Sequence, residues 1–297
     1  MWRLNKKLNC PDYNSPAQLK SILDSNGFSM QKKFGQNFLI NENARNKLIE
    51  ALDVKEGTSL WEVGPGLGAM TKGLLDKGAK LTAFEIDRGF ISLLKDFFAD
   101  YMEKGDFNIV EGDVIKNWYA QTQGGTFIPQ RFFGNLPYNI AATIIADTIE
   151  SGIRFERCVF TVQKEVAVRM AAKVGSEDYS SLSVLCNWAY DVKNLMDLSG
   201  SNFWPKPNVD SRAVVFVKKE DFPRCINPKL FIKIQRALFS LRRKTVKNNL
   251  SGYLNSSEKA GKYLEKAGID PMLRAEVLTI DQMLKLSDII ALEEGIK

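Results

Sequence analysis

The stretch "SLWEVGPGLGAM", Ser59–Met70, decides the fold, because it joins a buried strand to a helix through a glycine-rich turn. The apolar run over 59–64 is typical of a strand covered on both faces of a parallel sheet. Gly64, Gly66 and Gly68 allow the backbone to come close to a ligand, and the N-terminus of the following helix favours electron-rich groups. The stretch therefore predicts a cofactor-binding turn of a kind that serves NAD, FAD and S-adenosylmethionine alike.

Strand-like and helix-like segments alternate after this turn. Strands are predicted over 80–87, 107–113, 131–137 and 157–163, and helices over 90–98, 139–150 and 164–173. Alternation at these lengths predicts an α/β fold with a mainly parallel, doubly wound, Rossmann-like sheet. The segments "SLSVLCNWAY" and "SRAVVFVKK" predict a further helix and antiparallel edge strands. Upstream, Ser15 and Gln18 have the spacing of a capping box and predict a helix over 15–25.

The last part of the chain differs in both periodicity and charge. The proline-containing segment "EDFPRCINPKL" is the predicted boundary between a domain over 1–221, with residues 1–30 as an N-terminal extension, and a small helical domain over 222–297. Residues 222–297 contain 14 Lys and Arg against 8 Asp and Glu, so they carry the whole formal net charge of +6. Such an uneven distribution indicates a polyanionic partner.

Composition excludes several kinds of chemistry. The chain has no histidine, which rules out an imidazole base, a Ser-His-Asp triad and a histidine-ligated metal. Its 4 cysteines are far apart, a pattern that suits reduced thiols in the cytoplasm better than disulfides or zinc. The N-terminal residues lack the apolar stretch of a signal peptide, and no apolar run is long enough to span a bilayer. We therefore expect a cytoplasmic protein without a metal or a membrane.

Two carboxylates lie at the ends of consecutive predicted strands. Glu85 comes 19 residues after Gly66, where a carboxylate can accept hydrogen bonds from ribose hydroxyls. Asp113 follows the next strand at the same sheet edge and could accept from an adenine amino group. With a G-x-G-x-G turn in place of the dinucleotide G-x-G-x-x-G, this pattern favours an adenosine-containing cofactor other than NAD.

The fourth predicted strand ends in "NLPY", Asn135–Tyr138. An exocyclic adenine amine is a poor nucleophile, because its lone pair is delocalised into the ring. It needs acceptors that orient its protons, and the Asn135 side-chain oxygen together with the Leu136 carbonyl, held by Pro137, suits that task. Tyr138 offers an aromatic face on which a base can stack. The turn thus predicts methyl transfer to an adenine amine.

Eight motifs, in order from Phe34 to Glu276, carry a family resemblance. They are "FGQNFL", "EVGPGLGAMT", "FEID", "FGNLPYNI", "QKEVAVR", "FWPKPNVDS", "RRKTVKNNL" and "GIDPMLRAE". Together they resemble the KsgA-type small-subunit ribosomal RNA adenine N6,N6-dimethyltransferases. Residues 1–12 match none of the motifs.

The resemblance implies a class I S-adenosylmethionine-dependent methyltransferase domain followed by a small helical domain. It implies dimethylation of two adjacent adenosines in a hairpin loop near the 3′ end of small-subunit rRNA, by a monomer acting on an immature 30S subunit. It also implies a role for individual residues. The residues in contact with the cofactor would be Asn37, Leu39, Gly64, Gly66, Glu85 and Asp113, and Asn135 would lie at the junction of donor and acceptor. Phe203 would stack on the target base opposite Tyr138. The residues in contact with RNA phosphates would be Arg242, Arg243, Lys244 and Lys247.

Three alternatives remain open at this point. An Erm-like enzyme has a similar fold but modifies large-subunit rRNA, and the C-terminal motifs argue against it. A non-catalytic RNA-binding assembly factor would not need an intact "NLPY" turn beside a cofactor crevice. An NAD-dependent dehydrogenase would have no use for the basic helical domain.

Overall fold

A computed structural model of the chain describes residues 9–27, 37–136 and 138–296, the last range without the side chains of Tyr138 and Asn139. The strands are β1 (Phe38–Leu39), β2 (Ser59–Val63), β3 (Lys80–Glu85), β4 (Phe107–Glu111), β5 (Arg131–Asn135), β6 (Arg157–Gln163), β7 (Tyr190–Leu198), β8 (Phe203–Trp204) and β9 (Ser211–Lys218). The helices are α1 (Pro16–Ser25), α2 (Glu42–Leu52), α3 (Ala69–Asp76), α4 (Arg88–Phe97), α5 (Ala99–Glu103), α6 (Val114–Gln121), α7 (Tyr138–Glu150), α8 (Lys164–Ala171), α9 (Ser181–Ala189), α10 (Pro228–Leu238), α11 (Val246–Leu254), α12 (Ser257–Ala267) and α13 (Ile280–Glu293).

The larger sheet has 7 strands in the order β4-β3-β2-β5-β6-β9-β7. Strands β2 to β6 pair in parallel, and β9 pairs antiparallel with β6. This arrangement confirms the predicted doubly wound α/β fold with an antiparallel strand near one edge. The chain runs outward from β2 to β4 and then returns to β5 on the other side of β2, so the strand order reverses between β2 and β5. Doubly wound sheets bind ligands at the carboxyl ends of the strands at such a reversal.

The core explains why the stretch that begins at Ser59 is a central strand. Trp61 is 2% exposed, and its ring lies 5.1 Å from that of Phe84 on β3 and 6.2 Å from that of Phe132 on β5. Val63 lies opposite Phe84 on one side and Gly134 on the other. The register therefore brings the polar residues after β2, β3 and β5 to one level at the edge of the sheet.

A second, 2-stranded sheet was not predicted. In it, β1 pairs antiparallel with β8, so that Phe38 lies opposite Trp204 and Leu39 opposite Phe203. The Phe38 and Trp204 rings stack with centroids 6.1 Å apart. This ribbon brings two distant motifs of the sequence together.

The chain forms two compact units. The first comprises the described residues up to 141, with 155–167 and 193–217; the second comprises 142–154, 168–192 and the described residues from 218 onward. Helices α10 to α13 of the second unit confirm that the basic C-terminal part is helical, and the Phe231 ring of α10 lies 4.6 Å from that of Trp188 on α9. The predicted boundary at 221/222 falls near Lys218, and the division of function there stays a prediction.

The described residues contain neither a helix that could span a membrane nor a cluster that could hold a metal ion. Among 9–27, 37–136 and 138–296, no helix combines the length and the apolar character that crossing a membrane requires. Within the same ranges, no group of three or more His, Cys, Asp or Glu residues could hold a metal ion.

Candidate active site

A cavity of about 580 Å³ lies at the carboxyl edge of the larger sheet, in the first unit. Nine residues that the sequence analysis assigned to the site line it: Asn37, Leu39, Gly64, Gly66, Glu85, Asp113, Asn135, Leu136 and Phe203. Cavities that hold small-molecule ligands and cofactors measure about 300–1,000 Å³. The structure therefore brings the predicted cofactor and acceptor residues to one cavity of suitable size.

The glycine-rich turn between β2 and α3 forms one wall of the cavity. Gly64, Gly66 and Gly68 have φ angles of 68°, 57° and 88°, in the left-handed region that side chains disfavour. A Cβ atom on Gly66 would lie 3.1 Å from the Phe38 ring, a tighter contact than most side chains make, so a side chain here would have to displace that ring. The turn is closed by the Gly68 N–H, which donates to the Pro65 carbonyl at 2.9 Å. The glycines are thus required by backbone conformation as well as by close approach.

Glu85 is held at the end of β3 by main-chain donors. Its Oε1 accepts from the N–H groups of Ile86 and Asp87 at 2.8 and 2.9 Å, and its Oε2 accepts from the Gly66 N–H at 3.3 Å. Burial raises the pKa of this carboxyl to about 7, although the three N–H groups lower it. Glu85 therefore changes its charge near neutral pH while its position is fixed by the backbone.

Glu62 is a site residue that the sequence analysis did not single out. It lines the cavity, is 1% exposed, and accepts a hydrogen bond of 2.7 Å from the Thr71 hydroxyl. Burial raises its pKa to about 8; the Thr71 hydrogen bond lowers it, and the charge of Glu85 raises it. A carboxylate inside an otherwise apolar strand was the available signal. Because Glu62 keeps its proton at neutral pH, the wall carries less negative charge than its two carboxyl groups suggest.

Asp113 serves as a helix cap and also lines the cavity. Its Oδ1 accepts from the Ile115 N–H at 2.9 Å, at the start of α6. The Gly112 N–H donates to the Glu85 carbonyl at 2.7 Å, which ties this turn to the end of β3. The capping bond fixes the carboxylate beside the cavity, where a contact with an adenine amino group stays a prediction.

The side-chain amide of Asn135 is held from two directions. Its Nδ2 donates to the Asn37 carbonyl at 3.2 Å, and its Oδ1 accepts from the Thr161 hydroxyl. A flipped amide would place Oδ1 against the Asn37 carbonyl, two acceptors in contact, so these bonds set its orientation. Since an amide oxygen accepts two hydrogen bonds, Oδ1 keeps the capacity for one more. Thr161, at the carboxyl end of the neighbouring strand, carried no signal in the sequence.

The main chain around Asn135 is also specific. The Leu136 N–H donates to the Thr161 carbonyl at 3.1 Å, which continues the pairing of β5 with β6. A Cβ on Gly134 would lie 2.5 Å from the Leu136 side chain, so only glycine fits there while Leu136 is buried against it. The "GNL" segment thus lies at the edge of the cavity, and the positions of Gly134 and Leu136 on either side of Asn135 are fixed.

Of the two aromatic residues that are predicted to stack on the target base, Phe203 and Tyr138, the structure describes the side chain of Phe203 only. Phe203 lines the cavity, is 5% exposed and pairs with Leu39 across the small ribbon. It is therefore a core residue and a lining residue at once, and its stacking on a base stays a prediction. Pro137 and the Tyr138 side chain lie outside the described residues; the backbone of Tyr138 begins α7.

The four predicted RNA-binding residues lie in and after the loop from α10 to α11, in the second unit. Arg242 donates to the Glu177 carbonyl and lies 3.9 Å from the Glu276 carboxylate. Arg243 and Lys244 are exposed, whereas Lys247 is half-buried, and none of the three enters an ion pair among the described residues. Leu241, in the same loop, is an apolar side chain that is 59% exposed. The four basic side chains thus differ in exposure and in partners, although the sequence predicted the same role for all of them.

Comparison with known proteins gives a consistent result. The model of the family described as "Ribosomal RNA adenine dimethylase" matches residues 27–292. A protein of Treponema denticola named "Ribosomal RNA small subunit methyltransferase A" is 52% identical over 288 residues, which cover 95% of this chain and 97% of that protein. A protein of Treponema pallidum with the same name is 42% identical, with 94% of this chain and 97% of that protein covered.

Solved structures share the fold. A dimethyladenosine transferase from Plasmodium falciparum is 27% identical with a TM-score of 0.70, covering 86% of this chain and 98% of that one. The 23S rRNA methyltransferase ErmE is 20% identical with a TM-score of 0.60, covering 85% and 99%. At that identity the second likeness concerns the fold alone.

Proposed function

The chain belongs to the ribosomal RNA adenine dimethylase family, and on this premise we propose how it selects and methylates its substrate. It is an S-adenosylmethionine-dependent small-subunit rRNA adenine dimethyltransferase. The proposal is that it methylates N6 of two adjacent adenosines in the 3′-terminal hairpin loop, within an immature 30S subunit in the cytoplasm, as a monomer. Residues 1–221 would carry the chemistry and residues 222–297 would bind RNA. The observation that supports it best is the meeting of Glu85 and an oriented Asn135 amide in one cavity.

One half of the cavity suits the cofactor. When bound there, S-adenosylmethionine supplies an electrophilic methyl group on a sulfonium centre. Glu85 accepts hydrogen bonds from the ribose hydroxyls, and Asp113 accepts from the adenine amino group. Asn37, Leu39, Gly64 and Gly66 line the same cavity and would make the remaining contacts. The glycines matter because a Cβ at Gly66 would meet the Phe38 ring.

The other half suits the adenine amine. The remaining acceptor capacity of Asn135 Oδ1, together with the Leu136 carbonyl, orients the two amine protons and localises the nitrogen lone pair toward the methyl group. Phe203 and Tyr138 hold the base by stacking, and Pro137 stiffens the turn. Transfer would form the N6–CH3 bond while the S–CH3 bond of the sulfonium breaks and S-adenosylhomocysteine leaves, and the nitrogen would then release its proton to water. No histidine is needed, because the chain provides acceptors and orientation and not a strong base.

Cofactor binding is expected to strengthen as the pH rises from about 6 to about 8. With a pKa of about 7, Glu85 is mostly protonated below this range and mostly ionised above it, and only the ionised form accepts from both ribose hydroxyls. The affinity should rise about tenfold across one unit on either side of the pKa. The measurement is titration calorimetry with 5′-methylthioadenosine, which keeps the ribose and adenine but lacks the cofactor's own titrating amine.

Two variants test whether the ionisation of Glu85 causes this pH dependence. Glu85→Gln should bind more weakly with a flat profile, because the amide cannot ionise. Glu62→Gln should keep the rise, although Glu62 has its own raised pKa of about 8. A flat profile in the unaltered protein, or the same slope in Glu85→Gln, would contradict the proposed ribose contact.

RNA binding is expected to depend on Arg243 and Lys244 more than on Arg242, which is engaged by Glu276 and the Glu177 carbonyl. Each phosphate contact releases counterions, so Arg243→Ala with Lys244→Ala should make the salt dependence of RNA binding shallower by about 2 in the log–log slope. The measurement is binding to small subunits that lack the modification, at several salt concentrations.

A charge-matched control is available on α12. Lys262 and Lys266 both pair with Glu293 of α13, the former at 3.0 Å. Lys262→Ala with Lys266→Ala removes the same formal charge from the same unit, and it should change the slope much less. Equal slopes for the two double variants would show that Arg243 and Lys244 act only through net charge.

The alternatives are disfavoured for specific reasons. The relative that is 52% identical over 97% of its length is named for the small subunit, whereas the large-subunit enzyme ErmE shares the fold at 20% identity. A non-catalytic assembly factor would have no need for the two hydrogen bonds that orient Asn135. The direct test is incubation with labelled S-adenosylmethionine and 30S subunits lacking the modification. Label in N6,N6-dimethyladenosine of small-subunit rRNA is expected, and label confined to large-subunit rRNA would overturn the proposal.

A further inference from the structure

A segment outside the matched family region contacts the walls of the cofactor cavity. The family model begins at residue 27, and the described residues before it, 9–26, contain α1. The α1 residues Leu19 and Leu23 are buried in the same core cluster as Phe38 and Leu39 of β1. The segment is therefore part of the core of the first unit, and its function is not given by the family motifs.

Tyr13 bonds to the glycine-rich turn. Its hydroxyl donates to the Leu67 carbonyl at 3.0 Å in a buried position, and Leu67 lies between Gly66 and Gly68. Burial raises the pKa of the Tyr13 hydroxyl, so it stays a donor at physiological pH. A turn made of glycines has high backbone freedom, and a buried hydrogen bond from outside the turn restricts it.

Asn14 is connected to β1 through Arg45. The Arg45 guanidinium, 7% exposed, donates to Asn14 Oδ1 and to the Leu39 carbonyl, both at 2.8 Å. Leu39 lines the cavity and belongs to β1. Asn14 also donates to Glu42 at 3.3 Å, so its amide orientation is set from both ends.

Local hydrogen bonds fix the two residues relative to each other. The Asn14 N–H donates to Asp12 Oδ1 at 2.9 Å, and the Ser15 N–H donates to the Asp12 carbonyl at 3.0 Å. Gln18, which the sequence assigned to a capping box with Ser15, instead accepts from the Asp12 N–H at 3.0 Å. The turn before α1 is thereby rigid, and it directs adjacent side chains to different walls.

We propose that Tyr13 and Asn14 form a brace that sets the spacing between the glycine-rich turn and β1, and that they are positioning residues for cofactor binding. The inference rests on the proposed cofactor site. The two walls meet where the Phe38 ring covers Gly66, so a small shift of either wall changes the space left for the ligand. Docking of the brace and binding of the cofactor then stabilise each other, and this coupling is reciprocal.

The test compares Tyr13→Phe and Asn14→Ala with the unaltered full-length chain, using S-adenosylhomocysteine as the ligand. Tyr13→Phe keeps the buried ring and removes only the hydroxyl, so binding by calorimetry should weaken about threefold to tenfold. Asn14→Ala should weaken it similarly, while kcat at saturating cofactor stays unchanged in both. Tyr101→Phe is the matched control, because Tyr101 donates to Asp76 at 2.7 Å in an exposed position and does not line the cavity.

A second readout separates positioning from general stability. S-adenosylhomocysteine should raise the Tm and slow the exchange of the α1 amides in the unaltered chain, and both effects should shrink in Tyr13→Phe. A lower Tm of the cofactor-free variant, with unchanged affinity and an unchanged ligand-induced shift, would overturn the brace. Failure of the unaltered chain itself to bind S-adenosylhomocysteine would instead overturn the cofactor site, and the brace with it.

Discussion

Replacing Asn135 by alanine is expected to lower kcat for methyl transfer by about two to three orders of magnitude, the usual loss when one preorganised polar contact at a reacting centre is removed. The variant loses the oxygen that orients the adenine amine. Cofactor affinity should change by only about threefold, because the main cofactor contacts remain and the lost Nδ2 bond to the Asn37 carbonyl is a single neutral one. Single-turnover kinetics on 30S subunits measures the first quantity, and calorimetry with S-adenosylhomocysteine measures the second.

Variants of Thr161 test whether the loss of activity in Asn135→Ala comes from the lost orientation of the Asn135 amide. Thr161→Val removes the hydroxyl that donates to Asn135 Oδ1 and keeps the shape, so it should lower kcat about tenfold, and Thr161→Ser should restore it. Asn108→Ala, at an exposed position on β4, is the control and should have no effect. Undiminished turnover in Asn135→Ala would refute the proposed role of this side chain.

Replacing Glu85 by alanine is expected to weaken cofactor binding about 100-fold. Hydrogen bonds to a charged group contribute about 1.5–3 kcal/mol each, and a tenfold change in affinity corresponds to about 1.4 kcal/mol. The variant also releases the N–H groups of Gly66, Ile86 and Asp87, which loosens the turn that faces the ligand. Calorimetry with S-adenosylhomocysteine at about pH 8, where Glu85 is ionised, gives the largest difference.

Glu111 provides a matched control for this prediction. It lies opposite Glu85 in the pairing of β3 with β4, but it is exposed and bonds to Lys95 at 2.7 Å. Glu111→Ala should therefore leave cofactor binding unchanged. Equal losses in the two variants would indicate that overall charge at this sheet edge, and not a directed contact, determines affinity.

Local patterns were sufficient for much of the fold. The buried run at 59–63, the positive-φ glycines and the capping Asp113 each follow from the sterics and hydrogen bonding of a few neighbouring residues. For this reason, the parallel sheet and the turn were predicted correctly, whereas the predicted strands over 80–87, 107–113 and 131–137 each extend 2 residues beyond the observed ends at Glu85, Glu111 and Asn135. The small ribbon of β1 and β8 was not, because its strands are only 2 residues long and their motifs lie far apart in the chain.

In the candidate site, too, local patterns predicted some features and missed those that depend on distant residues. Glu85 and Asn135 were recognised because each lies at the end of a strand, next to a chemically distinctive turn. The sequence did not indicate that Asn135 bonds to Asn37 and Thr161, at separations of 98 and 26 residues. It also did not distinguish Arg242, which has an acidic partner, from the exposed Arg243.

The sequence by itself determined the succession of the parallel strands β2 to β6 along the chain, the glycine-rich turn, and the chemistry available at "NLPY". These depend on backbone conformation, capping and periodicity, which act within a few residues. Only the tertiary structure decided that Glu62 holds a proton at neutral pH, that Asn135 has one orientation, and that Tyr13 bonds to the glycine-rich turn while Asn14 bonds to Arg45, which in turn bonds to Leu39 of β1. Burial and long-range hydrogen bonds arise from packing between distant segments, and no local pattern encodes which segments will meet.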